Sequence, residues 1–76
     1  MIHIKKSTDK KFYVTIVSDN NEVLNTSETL NTKQSAWINI SAVLRVLNVT
    51  NAKVSDDTIK NPIEYICWID GRKIKI

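Results

Sequence analysis

The sequence has 76 residues, of which 42% are hydrophobic and 25% are charged, and its formal net charge at pH 7 is +3. This composition excludes an intrinsically disordered chain and indicates one small domain with a thin hydrophobic core. The mildly basic charge permits contact with nucleic acid or an acidic partner without requiring it.

The pattern of charges and apolar residues gives no sign of a membrane span or a secretion signal. No apolar run approaches the roughly 20 residues that cross a bilayer, and residues 1–11, MIHIKKSTDKK, carry charges where a signal peptide needs its hydrophobic stretch. Cys67 is the single cysteine, so it has no internal disulfide partner, which is typical of a reducing compartment. We therefore expect a cytoplasmic protein that makes no membrane contact.

Short β-strands are predicted in the first third of the chain. Ile2 and Ile4 alternate with polar residues, which predicts an opening strand. Residues 12–18, FYVTIVS, are β-branched or aromatic at nearly every position and predict a second strand. Residues 19–21, DNN, tolerate a left-handed backbone and predict a hairpin turn, after which EVLNTSE returns as an antiparallel third strand.

A change of hydrophobic period from two to 3.6 at Asn31 and Thr32 predicts a helix over about residues 33–48. Either side chain can accept from the free N–H groups of the first turn, and Gln34 follows Asn31 by three residues as a variant of the capping box. The stripe of this helix that covers the sheet is predicted to contain Ala36, Ile40, Val43, Leu44 and Leu47, with Trp37 at its edge.

A second, narrower apolar strip runs along the far side of the predicted helix. It is formed by Ile38, Ala42 and Val46. Packing of the helix on a sheet leaves this strip uncovered, so we predict that it contacts a partner.

The last third of the chain predicts a crossing segment and then a β-hairpin. Residues 48–62 are polar and end at the single proline, Pro62, with one short strand near residues 53–55. Asp70 and Gly71 lie between alternating apolar residues and predict a two-residue type I′ turn, which needs positive φ at both central positions.

The register of this hairpin follows from a two-residue turn. It places Cys67 opposite Ile74 and Trp68 opposite Lys73. One face of the hairpin is then apolar, while the other carries Trp68 ringed by Lys73 and Lys75. An aromatic side chain beside basic ones is typical of surfaces that bind single-stranded nucleic acid.

The segment KFYVTIVSDNNEVLNTSETLNTKQSAWINISAVLRVL resembles the YegP-like family of small domains. Repeats of that family read as an aromatic alternating strand, a tight turn, a strand that ends in Ser-Glu, and a helix with small residues near its first turn. Here Ser27 and Glu28 match the Ser-Glu pair. The likeness covers roughly residues 2–55.

The resemblance implies an α+β fold with a three-stranded antiparallel sheet covered by one α-helix. Residues 1–55 would form this unit, and residues 56–76 would add a C-terminal β-hairpin packed on the same single domain. The family has no established biochemical activity, so the likeness supplies no active site. It does favour a structural role over anion binding for Ser27, Glu28 and Asn31 at the strand-to-helix joint.

Family members often carry two tandem copies packed against each other, whereas this chain has one copy. We therefore expect a homodimer that restores the two-copy assembly. A two-fold that continues or stacks the sheets, with RKIKI as the candidate edge, is the preferred arrangement. The helix strip is the second choice.

The residue types needed for catalysis or metal binding are too few. His3 and Cys67 are the single histidine and cysteine, and no third group is indicated that would orient a base. One histidine and one cysteine do not make a zinc site. Gly71 is the single glycine, so no glycine-rich phosphate loop is present. We therefore expect no enzymatic activity, cofactor or metal.

The function that the sequence favours is a small non-enzymatic interaction module that binds a protein partner as a homodimer. The alternative is a single-stranded nucleic-acid-binding domain that uses the hairpin face of Trp68, Lys73 and Lys75. The abundance of Ile, Asn and Lys indicates an AT-rich microbial or viral genome. A virus-encoded inhibitor of a host protein is therefore the second alternative.

Overall fold

A computed structural model describes residues 1–18, 20 and 22–76, and in this part of the chain it shows one α-helix and six β-strands. The elements are β1 (Ile2–Lys6), β2 (Phe12–Val17), β3 (Val23–Thr26), α1 (Lys33–Leu47), β4 (Asn51–Asp56), β5 (Ile63–Trp68) and β6 (Lys73–Lys75). The hairpin turn predicted for residues 19–21 includes Asp19 and Asn21, which lie outside the described residues.

The strands form a mixed sheet with the order β3-β2-β1-β4-β5-β6, covered on one face by α1. The β1 and β4 strands pair in parallel, with Ile2 opposite Val54, and the other neighbouring strands are antiparallel. The α+β class is confirmed, but the prediction of a three-stranded antiparallel sheet is wrong. Parallel neighbours need a crossover, and α1 supplies it by returning the chain to lie beside β1.

The β4 strand joins the two halves of the sheet. It is twice as long as the short strand predicted over residues 53–55, because it spans Asn51–Asp56 and pairs along both of its edges. Its Ala52 and Val54 share the α1 side of the sheet, whereas Lys53 and Ser55 point to the uncovered face. The C-terminal hairpin, formed by β5 and β6, therefore belongs to the same sheet as β1, β2 and β3.

The hydrophobic core lies between α1 and the middle of the sheet. Its buried members are Ile2, Ile4, Val14, Ala36, Ile40, Leu44, Val54 and Cys67. The predicted helix stripe is confirmed for Ala36, Ile40 and Leu44, whereas Val43 is half-buried and Leu47 is 55% exposed. Leu47 is exposed because an open groove separates the C-terminal end of α1 from Ile2, Ile16 and Ala52.

The boundaries of α1 follow from its caps. The Thr32 side chain accepts a hydrogen bond from the Ser35 N–H at 3.0 Å, so Thr32 and not Asn31 is the N-cap. Asn48 ends the helix in the left-handed conformation with φ of 56°, and its N–H donates to the carbonyls of Leu44 and Arg45. The predicted helix is confirmed, with Asn48 as its C-cap.

The turn of the C-terminal hairpin has three residues, so the predicted two-residue type I′ turn is wrong. The Trp68 N–H donates to the Arg72 carbonyl at 2.8 Å, and the Gly71 N–H donates to the Trp68 carbonyl at 2.9 Å. Gly71 has φ of 93°, whereas Asp70 has no positive φ. A type I turn followed by a glycine with positive φ is the usual three-residue hairpin loop.

This loop shifts the register by one residue. Cys67 lies opposite Lys73, Ile66 opposite Ile74, and Tyr65 opposite Lys75. Because neighbouring side chains along a strand point to opposite faces, a shift of one residue moves every β6 side chain to the other face.

Replacement of Gly71 by alanine is expected to lower the free energy of unfolding by about 1–2 kcal/mol. A left-handed backbone is less stable by about that amount for a residue that has a Cβ. The added Cβ would lie 3.8 Å from the Ser41 Oγ, an ordinary contact, so the cost is conformational. Urea unfolding of the wild type and Gly71→Ala measures it. Gly71→Asn is the control and should lose less, since asparagine tolerates positive φ. Equal stability of all three proteins would contradict the assigned loop.

Candidate interaction surface

The apolar strip predicted on α1 lies on the exposed side of the helix. Ile38 is 61% exposed, Val46 is 84% exposed, and Ala42 between them is also exposed. We call these three residues the α1 strip. Their spacing of four residues places them in one row along the helix.

A groove of about 260 Å³ runs beside the α1 strip, between the helix and the β3 edge of the sheet. It is lined by Ile16, Asn25, Ala42, Val43, Val46 and Leu47. Two of these residues, Ala42 and Val46, belong to the α1 strip as well. The strip and the groove therefore form one continuous surface, and none of the residues that line it is charged.

A second groove of about 450 Å³ lies around the C-terminal end of α1. It is lined by Met1, Ile2, Ile16, Leu44, Leu47, Val49, Ala52 and Lys53. Ile16 and Leu47 line both grooves. The apolar surface thus continues around the C-terminal end of the helix.

Two cations belong to α1, Lys33 and Arg45. The Lys33 Nζ lies 3.0 Å from the Asp56 Oδ2, so its charge is paired at the first turn. Arg45 is exposed in the last turn, one residue before Val46. Depletion of charge is the compositional mark of the centre of a protein interface.

The residues predicted to form a nucleic-acid-binding face of the hairpin do not share a face. Trp68 lies on the uncovered side of the sheet, where the Arg72 guanidinium is 5.0 Å from the centre of its ring. Lys73 and Lys75 lie on the α1 side, since they pair with Cys67 and Tyr65. The one-residue shift of the hairpin register causes this separation.

Lys73 has an aromatic partner on the α1 side of the sheet. Its Nζ is 4.7 Å from the centre of the Trp37 ring, which packs edge-on against Tyr65 with centroids 5.1 Å apart. The ring of Trp68 is covered by Arg72 in the same way. Both tryptophan rings therefore already lie against a cation of the same chain.

The polar run between β3 and α1 acts as a structural joint. The Ser27 Oγ accepts from the Val14 N–H at 2.9 Å and donates to the Glu28 carbonyl at 2.9 Å. These bonds hold the end of β3 against β2. Thr32 then caps the helix. The arrangement supports the structural interpretation of Ser27 over a ligand-binding one.

Asp56 forms a buried polar cluster that the sequence interpretation missed. It is 3% exposed and accepts hydrogen bonds from the Lys33 Nζ and the Thr58 N–H, each at 3.0 Å, and from the Thr58 Oγ1 at 2.5 Å. Burial raises the pKa of this carboxyl, but the bonds from Thr58 and Lys33 outweigh burial, so the pKa lies below its ordinary value. The period-two pattern of Ala52, Val54 and Asp56 was the available signal that Asp56 faces the core side.

Asp57 connects two polar residues on the uncovered side of the sheet. Its Oδ2 lies 2.8 Å from the His3 Nδ1, and its Oδ1 accepts from the Ser55 Oγ at 2.5 Å. The serine hydroxyl bonds to the carboxylate and not to the imidazole. The cluster therefore lacks the hydroxyl-to-imidazole bond through which a base activates a nucleophile.

Neither a metal cluster nor a membrane-spanning helix is found in residues 1–18, 20 and 22–76. No group of three or more His, Cys, Asp or Glu side chains in these ranges is placed to hold a metal ion. Within the same ranges, no helix combines the length and the hydropathy that crossing a bilayer requires.

No model of a known protein family, no curated protein and no solved structure matches the chain. The resemblance to the YegP-like family stays a prediction.

Proposed function

We propose that the protein is a small non-enzymatic interaction module that binds a protein partner through the apolar surface around α1. This proposal rests on one observation. The α1 strip (Ile38, Ala42 and Val46) and the uncharged groove beside it form one continuous surface. Cys67 is a free thiol, and reducing compartments keep thiols unpaired, which supports a location in the cytoplasm.

The exposed side of a helix that contacts solvent alone is normally polar. The corresponding side of α1 instead presents two branched aliphatic side chains, Ile38 and Val46, to solvent. Full burial of such a side chain contributes about 1.5–3 kcal/mol. Covering both would therefore supply a substantial part of the free energy of a protein–protein contact.

The shape of the surface indicates how a partner would bind. The groove beside the α1 strip is about 260 Å³, enough for apolar side chains projected from one face of a partner element. An amphipathic helix presents side chains in this way, at intervals of three and four residues. Arg45 does not line the groove and is exposed, so it can remain hydrated.

Replacement of Val46 by glutamate is expected to weaken partner binding at least about tenfold, because the carboxylate would lose its hydration in an apolar contact. Immobilised wild type and Val46→Glu are compared in extracts of the source cells, and the retained polypeptide is then purified and titrated. Ile74→Glu is the matched control, since Ile74 is an exposed aliphatic residue on the uncovered side of the sheet.

The expected result is a polypeptide retained by the wild type and by Ile74→Glu but not by Val46→Glu. Circular dichroism of the three proteins confirms that they are folded. Equal retention of the same polypeptides by wild type and Val46→Glu would overturn the proposal.

A further inference from the structure

We infer that the surface around α1 binds a second copy of this chain, with the two α1 helices packed antiparallel about a two-fold axis beside Ala42. This inference rests on the proposed function, because it uses the same surface and names the partner.

The α1 strip is self-complementary about its centre. Ile38 and Val46 lie four residues before and four residues after Ala42. In an antiparallel helix pair with its axis at Ala42, each Ile38 faces the Val46 of the other copy, and the two Ala42 residues face each other. A two-fold interface requires this kind of matching, since the same patch serves both subunits.

The sizes of these side chains suit close helix packing. Alanine at the centre lets the two backbones approach, while the branched side chains on either side fill the space between the helices. Leu47 and Val43 lie toward the groove, where they extend the contact to the β3 side of the sheet.

The charge distribution also favours a second copy at this surface. The chain carries a net charge of +3, so two copies carry a net electrostatic repulsion. The strip and the groove beside it are lined by uncharged residues. The two Arg45 residues would be offset by about 9 Å along the helix axis, since each lies three residues from the centre.

Both edges of the sheet are less suited to pairing with a second copy. The β6 edge carries Lys73 and Lys75, and edge lysines oppose strand pairing. The β3 edge is interrupted by a register shift, because Asn25 pairs with Ile16 but Val23 pairs with Val17. Such a bulge twists an edge away from pairing. The structure therefore favours the helix over the sheet-edge two-fold that the sequence favoured.

The area of the contact bears on its strength. A standard interface buries about 800 Å² on each partner, which is about a sixth of the 5164 Å² surface of this chain. An interface of that size involves about 20–30 residues on each partner, which is more than the α1 strip supplies, so it would include residues of the grooves beside the strip. We therefore expect association at micromolar concentrations and a single closed dimer.

A charge-swap experiment tests the position of the two-fold axis. Sedimentation equilibrium across the micromolar range should give the wild type a mass that rises from 8.7 kDa toward twice that value. Ala42→Glu and Ala42→Lys should each stay monomeric, because like charges would face each other at the axis. Their equimolar mixture should associate at least about tenfold more tightly than either alone, since opposite charges then meet.

Cysteine cross-linking gives an independent measurement of the same axis. Ala42→Cys should form a disulfide-linked dimer under mild oxidation, because the two positions face each other, whereas Ile74→Cys should not. The native Cys67 does not compete, since it is buried and burial raises the pKa of its thiol.

A wild type that remains at 8.7 kDa at every concentration would overturn this inference. The proposed function would still stand if Val46→Glu loses a captured partner. A dimer that Ala42→Glu leaves intact would also reject the helix contact and return the sheet edges as the interface. A mixture of Ala42→Glu and Ala42→Lys that does not associate would reject the axis at Ala42.

Discussion

Truncation of Ile40 to alanine is expected to lower the free energy of unfolding by about 2–5 kcal/mol. Ile40 is fully buried at the centre of the core stripe of α1, between Ala36 and Leu44. Removal of its side chain loses apolar burial and leaves a cavity under the helix. A domain of this size has a total stability of only about 5–10 kcal/mol, so the loss is a large part of it.

Thermal unfolding should show the same change, since about 1 kcal/mol shifts the Tm of a small domain by about 4–8 °C. Ile38→Ala is the matched control, because it is the same substitution two residues away on the exposed side of α1. Its effect on the monomer should stay within about 0.5 kcal/mol. Similar losses for the two variants would contradict the assigned orientation of the helix.

Replacement of Asp56 by alanine is expected to lower the free energy of unfolding by about 1–3 kcal/mol, the cost of leaving buried hydrogen-bonding groups without partners. The substitution removes the acceptor of the Thr58 N–H and hydroxyl and of the Lys33 ammonium. The hydrogen bond between the first turn of α1 and the end of β4 is thereby lost. Urea unfolding at pH 7 measures the loss, and Asp9→Asn in the exposed β1–β2 turn is the control.

The contribution of Asp56 should depend on pH. Its pKa in the folded protein lies below the value of 3.8 for the free side chain, since the bonds from Thr58 and Lys33 outweigh the opposing effect of burial. The stabilisation is therefore fully present above about pH 4 and is lost as the pH falls through the folded pKa. The difference in stability between wild type and Asp56→Asn should shrink from pH 7 to pH 3. A difference that is constant across this range would show that the ionised carboxylate is not what stabilises the contact between α1 and the end of β4.

Local sequence patterns determined most of the first half of the fold. Phe12, Val14 and Ile16 alternate with the period of a strand, and the change of period at Thr32 marks the start of α1. The same helical period placed Ile38 and Val46 on the exposed side. These features could be predicted because they depend on residues within a few positions of one another along the chain.

The partner of each strand was decided by tertiary structure. The β4 strand has a weak local pattern, since Ala52 and Val54 are its apolar residues toward α1, yet it lies at the centre of the sheet. Its place depends on pairing with β1, about fifty residues earlier in the chain. Competition among such distant pairings is not recorded in any short segment. The sequence therefore predicted the antiparallel neighbours β1, β2 and β3 but not their place in a six-stranded mixed sheet.

The register of the C-terminal hairpin shows the same limit at the level of one residue. Asp70-Gly71 is compatible with a two-residue or a three-residue turn, because glycine accepts the positive φ that each requires. The three-residue loop places Lys73 against Trp37 of α1 and Arg72 against Trp68. The sequence alone determined that a hairpin forms there. The contacts of Lys73 with Trp37 and of Arg72 with Trp68 distinguish the two registers. These contacts could not be predicted, because only the packed structure brings those side chains together.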